Sequence, residues 1–209
     1  MLNLSQLHEN DKLYLYVRHV AHKANKANPE ALKAMEEKAA TLKAELEAAG
    51  ININDIRFFS SPQPRALETA FAIMDGLLGK RTGVISLPNL DAASASFPEE
   101  VAALVQKQKD TNDPRSVERM FCDELPHIAA EQGHSISIAT DEINEEFEQT
   151  RVTVITSHGG AIEPFLQGVE KGEIDSTKID YLLKTGEIVQ VIEHEDMTCE
   201  VYYPEKPAV

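Results

Sequence analysis

The sequence predicts an α/β fold, a mainly parallel sheet with helices packed against it. Three observations lead there. Short apolar runs alternate with amphipathic segments along most of the 209 residues. Apolar residues in the longest of those segments recur at helical spacing. Helix start and stop residues stand at the ends of that segment, and Gly or Pro marks the turns elsewhere.

The elements follow in order. LYLYV (Leu13 to Val17) reads as a first buried strand. A long helix comes next, with Asn28 as N-cap, Pro29 at the first helical position and Gly50 as the stop. Leu32, Met35, Ala39, Leu42, Leu46 and Ala49 share one face of it, and the opposite face is Glu and Lys. IRFFS (Ile56 to Ser60) is a second strand, followed by a helix from Pro62 or Pro64 to about Leu78. Gly79 and Gly83 bracket a turn before a third strand, VISL (Val84 to Leu87). Ser96 to Glu99 fits a capping box ahead of a helix carrying Val101, Leu104 and Val105. From Asp113 to Arg151 the chain reads as helical but broken, with Pro126 and Gly133 as interruptions. VTVIT (Val152 to Thr156) is a strand, and a helix opens near Ala161. IVQVI (Ile188 to Ile192) and CEVYY (Cys199 to Tyr203) form a closing pair around an acidic turn. With no repeat, low-complexity tract or linker, residues 1–209 are expected to form one domain.

Composition narrows the function. Against 20 Lys and Arg stand 35 Asp and Glu, a net charge of −15. Such a surface repels nucleic acid and anionic lipid, so neither is an expected partner. A phosphorylated substrate would be repelled too, unless a local basic cluster overcame that field. The N-terminal residues lack an apolar core of signal-peptide length, and the two cysteines, Cys122 and Cys199, have no metal or CxxC spacing. A reduced cytoplasm is the expected location.

Three strands end in residues that carry chemistry. The first runs into Arg18-His19, the second through Ser60-Ser61-Pro62 to Arg65, and VTVIT into Ser157-His158-Gly159-Gly160. Ligands of open parallel sheets bind at the carboxyl ends of the strands. Two arginines and two histidines thus converge on one edge. Taken singly, an Arg-His pair or an SHGG is usually a surface pair or a turn; together, in this order, they favour a site. Arginine forks suit phosphoryl oxygens, and neutral histidine is a competent nucleophile. The second histidine can donate to the charge of the transferring group. Helix N-termini after Arg65 and Gly160 are expected to add positive charge, and Gly159 and Gly160 to let backbone approach an anion.

The segments LYLYVRH, FFSSPQPRALETA and TVITSHGGAI resemble the three signature segments of the histidine phosphatase superfamily, the phosphoglycerate mutase-like group. The resemblance spans roughly residues 13 to 193. It implies a three-layer α/β/α sandwich and a phosphohistidine intermediate. His19 would be the nucleophile, and Arg18, Arg65 and His158 the phosphate pocket. Asn25 stands where the family often has an Asn touching the phosphate. Where the family reads Arg-His-Gly and then a polar residue and Ser or Thr, this chain has Val20, Ala21 and His22. Valine resists positive φ, so either the loop does not need that conformation or its path differs. His22, Lys23 and Lys26 are either the local positive charge at the entrance or a solvated basic loop.

A leaving group needs a proton, best given by a carboxylic acid. The family often places a Glu shortly after the third strand, and Asp91 occupies a comparable place here, with Glu99 and Glu100 as alternatives. His19 with His22, and His194 with Glu195 and Asp196, lack a recognised metal spacing. With arginine supplying the charge, no metal or other cofactor is required. The expected activity is hydrolysis of a phosphate monoester, small-molecule or phosphoprotein. The rivals are a mutase and a non-catalytic phosphate- or phosphoprotein-binding module. The sequence does not choose among sugar phosphates, phosphorylated acids, nucleotides and phosphohistidine proteins.

Overall fold

The computed structural model of the chain describes residues 2–174 and 179–204. Its strands are β1 (Lys12–Arg18), β2 (His22–Lys23), β3 (Lys26–Ala27), β4 (Arg57–Ser60), β5 (Ile85–Ser86), β6 (Val152–Ser157), β7 (Ile188–Glu193) and β8 (Cys199–Tyr202). The helices are α1 (Pro29–Ala48), α2 (Pro64–Leu78), α3 (Ala93–Ser96), α4 (Pro98–Thr111), α5 (Val117–Glu124), α6 (Pro126–Glu146) and α7 (Ile162–Lys171). The main sheet has the order β5-β4-β6-β1-β7-β8, and β2 and β3 form a small separate hairpin. β5, β4, β6 and β1 run parallel, while β7 and β8 close the far edge antiparallel. The expected mainly parallel sheet is present.

Side chains alternate across a strand, so β1 feeds two layers. Leu13, Leu15 and Val17 pack with Phe58, Val152 and Val154 beneath α1 and α2. Tyr14 and Tyr16 point the other way, with Phe59 and Ile155, against α6 and α7. Burial on both faces is why LYLYV is apolar throughout rather than alternating. A smaller cluster of Leu104, Met120, Phe121 and Ile128 joins α4, α5 and α6. No helix among the described residues is long and apolar enough to cross a membrane.

α1 begins as expected: the Asn28 side chain accepts from the amides of Glu30 and Ala31 at 2.8 and 3.3 Å. Met35, Ala39, Leu42 and Leu46 are its buried stripe. Three expectations need correction. Gly133 does not interrupt anything; α6 runs through it. A Cβ at Gly133 would lie 2.9 Å from Pro164 Cβ and 3.0 Å from Phe165 N. The helical glycine costs about 1 kcal/mol in propensity, and it lets α6 and α7 pack at backbone distance. Ser96 caps nothing: it ends α3, while α4 starts at Pro98 after Phe97 without a side-chain cap. The third strand is only Ile85–Ser86, exposed at the sheet edge and paired with β4 alone.

Candidate active site

His19 leaves β1 still held by the sheet, its amide donating to Ser157 O at 3.0 Å. Its Nδ1 lies 2.8 Å from Val20 O, and Arg65 Nε lies 3.2 Å from its Nε2. Arginine only donates, so Nε2 must carry the lone pair and Nδ1 the proton. Burial pulls the imidazole pKa down to about 4; the bond to Val20 opposes this, and Arg65 adds to it. The ring is therefore neutral near pH 7, with Nε2 facing the site.

Arg65 is the second residue of α2, and its guanidinium organises three neighbours at once. Besides His19 it donates to Asn25 Oδ1, and Nη2 lies 3.2 Å from His158 Nδ1. By the same donor logic His158 holds its proton on Nε2, which donates to Ser61 Oγ at 2.8 Å. The Ser61 hydroxyl then donates to Asp91 Oδ1 at 3.2 Å. A directed chain thus runs Arg65, His158, Ser61, Asp91. His158 is buried, and burial, with His19 and Arg65 next, drives its pKa well below the usual histidine value. Ser61 hangs on the sheet: its N donates to Thr156 O at 2.9 Å, extending the β4–β6 ladder past its last pair.

Arg18 reaches the same edge from the side. Nη2 donates to Glu118 Oε1 at 2.6 Å and Nη1 to Leu183 O, while Nε, though buried, has no partner among the described residues. The guanidinium lies against Gly159, where a Cβ would come within 2.6 Å of its Cζ. That changes the reason for the glycines. Gly159 makes room for Arg18, and the Gly160 amide, expected to face an anion, donates to Glu163 Oε2 at 2.6 Å. Glu163 also accepts from Leu183 N at 3.0 Å. Its carboxylate is buried, and burial raises its pKa despite Arg18 and these two amides.

The loop after His19 resolves the valine question. Residues 22–27 form the β2–β3 hairpin, with Ala24 and Asn25 at its turn, φ 50° and 62°. Two central residues at positive φ suit a two-residue hairpin. The left-handed conformation therefore falls on Ala24 and Asn25, not on Val20. Val20 is buried, its amide donating to Thr69 Oγ1 at 3.1 Å. His22 sits edge-on to His19, ring centroids 4.9 Å apart.

A cavity opens over these groups, lined by His19, His22, Arg65 and His158 and roofed by Val101, Val117 and Phe121. Lys23 and Lys26 are exposed and are not among its walls, so Arg65 carries the local positive charge, while burial, with Arg65 and Arg18 next, pulls the His22 pKa below its ordinary value. Glu99 and Glu100 are exposed and also outside it. Asp91 stands behind Ser61, with Oδ1 also accepting the Ala92 amide at 2.7 Å. Glu118 does line the cavity, and Arg18 keeps its pKa low against the opposing effect of burial. Sequence reasoning misses Glu118, which lies in a helical stretch with no motif. Glu163 leaves a faint signal as an acid in a helix first turn.

No family model matches this sequence, and no curated protein matches it. The backbone does have counterparts among solved structures. A mycobacterial glucosyl-3-phosphoglycerate phosphatase complexed with VO3 superposes with TM-score 0.61 at 13% identity, over 92% of this chain and 98% of that one. For a phosphoglycerate mutase from Bacillus anthracis the TM-score is 0.59 at 15% identity, over 93% and 92%. For mycobacterial hydrolase 1 it is 0.58 at 14%, over 95% and 100%. Identities this low speak for the fold and not for the activity. The chain has the phosphoglycerate mutase-like α/β fold that its three signature-like segments imply.

Proposed function

We propose that the protein is a metal-independent phosphatase that hydrolyses a phosphate monoester through a phosphohistidine on His19. One observation carries this reading: a buried neutral imidazole presents an Nε2 lone pair to a cavity in which Arg65 and His158 sit beside it. Nε2 attacks phosphorus as the ester P–O bond breaks, and the leaving oxygen takes a proton. Water then attacks the phosphohistidine, gives up a proton, and releases phosphate with Nε2 restored. Arg65 holds the phosphoryl oxygens with the N–H groups it does not give to His19, Asn25 and His158; Asn25 and His158 orient its fork, and Arg18 adds positive charge from the side. Positioning and electrostatic stabilisation carry most of such a reaction. The two thiols are unpaired, Cys122 buried and Cys199 exposed, which suits a reduced cytoplasm.

Asp91 is our choice for the proton donor. Its bonds from Ser61 and Ala92 both fall on Oδ1, so Oδ2 is the oxygen assigned to the leaving group. Asp91→Asn is expected to slow alkyl phosphates about 100-fold or more and nitrophenyl phosphate less than about fivefold. Equal losses on both would move the acid elsewhere, with Glu118 next in line.

The reading itself is tested by phosphate release from an aryl phosphate in the presence of chelator, with an acid-labile, base-stable phosphoryl label sought on His19 after rapid quenching. Turnover with a label supports the phosphatase. A label whose phosphoryl group passes to a second hydroxyl rather than to water means a mutase, and phosphate binding without any label means a binding module.

A further inference from the structure

At the opposite end of β1, about 25 Å from His19 at strand rise per residue, three side chains from distant parts of the chain meet. Asp11 immediately precedes the strand, His8 sits three residues earlier, and His194 begins the β7–β8 turn. Asp11 Oδ2 is 3.2 Å from His8 Nδ1 and 2.9 Å from His194 Nδ1. One ligand atom from each residue lies within 4.8 Å of the other two, the only such His/Cys/Asp/Glu group among the described residues.

The backbone holds all three in place. His8 N donates to Asp11 Oδ2 at 2.8 Å and Asp11 N to His8 O at 3.3 Å, closing a tight turn. His194 N donates to Thr198 O at 2.8 Å, and Met197 N to His194 O at 2.9 Å. Asp11 is only 3% exposed, yet no lysine or arginine among the described residues pairs with it. Among the described residues, imidazoles are the only side chains of opposite charge, when protonated, that pair with this buried carboxylate. The surrounding cleft is lined by Glu9, Glu195, Asp196 and Glu200, which attract a cation.

We propose that His8, Asp11 and His194 bind a divalent zinc-class cation that staples the N-terminal segment to the β7–β8 hairpin. Ligand atoms around tetrahedral zinc stand about 3.4 Å apart, given bonds of about 2.0–2.1 Å. The two separations from Asp11 need to open by only a few tenths of an ångström, and the two imidazole ligand atoms, within 4.8 Å of each other, settle to the same spacing. Two imidazoles and one carboxylate favour zinc over magnesium or calcium, and three protein ligands leave the fourth position to water. In the sequence His194 stands beside only Glu195 and Asp196, because its partners lie more than 180 residues away.

Metal-free protein without a histidine tag, titrated with Zn²⁺ by calorimetry, is expected to take one equivalent. Co²⁺ in its place gives the strong visible d–d bands of four- or five-coordination. Zn²⁺ at 100 times its dissociation constant raises the thermal midpoint by about 5 °C. Asp11→Asn and His194→Ala each weaken binding by more than about 100-fold and lose that shift. Phosphate release is indifferent to chelator, the two sites being at opposite sheet ends. Wild-type protein that takes up no stoichiometric Zn²⁺ and gives no cobalt bands overturns the proposal, whatever the variants do. Variants that bind as wild type overturn it equally, and the cluster is then a hydrogen-bonded turn.

Discussion

His19→Ala is expected to lower turnover of an aryl phosphate by about 10⁴-fold or more and to abolish the phosphoryl label, with the protein still folded. The size follows from what the ring supplies. Its Nδ1 is fixed on Val20 O and its Nε2 lone pair meets Arg65, so nucleophile and aim are lost together. His158 cannot take over, since its Nδ1 is held by Arg65 and its Nε2–H by Ser61. The fold suffers less, because β1 and its ladders with β6 and β7 are untouched. One unpaired donor on Arg65 and a small void should cost about 1–3 kcal/mol. Phosphate release and thermal midpoint measured on the same preparation separate the two effects. Turnover above one-tenth of wild type in a folded variant removes the phosphohistidine mechanism.

The second large effect belongs to Arg65. Arg65→Lys keeps the charge but is expected to lower kcat/KM by about 10²–10³-fold, a cost of about 3–4 kcal/mol in the transition state. The guanidinium makes bonds in three directions, to His19, Asn25 and His158. A lysine ammonium is a point charge on a flexible stem and cannot reproduce that fork. Losing the bond to His158 also frees its Nδ1, so the proton order through Ser61 to Asp91 is no longer imposed. Arg65 is half-buried at the edge of α2, so the thermal midpoint should move little. A loss under threefold would mean that net charge, not the planar fork, is what holds phosphate.

Much of this is legible in the amino-acid sequence. Periodicity places α1 with its cap and stripe, and the buried runs place β1, β4 and β6, because local sterics and burial on one or two faces leave a period in the chain. His19, Arg65 and His158 are found for the same reason: each stands just past a readable strand. Gly133 misleads, since a helical glycine looks like a break until the neighbouring helix is known. Gly159 suggests room for an anion, when its neighbour is the Arg18 guanidinium.

The layered α/β architecture, and the edge at which its chemistry gathers, are written in the chain's own pattern. Both depend on repeating, short-range signals of burial and on turn residues. Which groups touch is settled by the folded arrangement alone: Glu118 pairs with Arg18, Asp91 reaches His158 through Ser61, and His194 meets Asp11. Such contacts join residues up to 183 positions apart. A hydrogen bond needs its partners within about 3 Å, and no period along the chain encodes that distance.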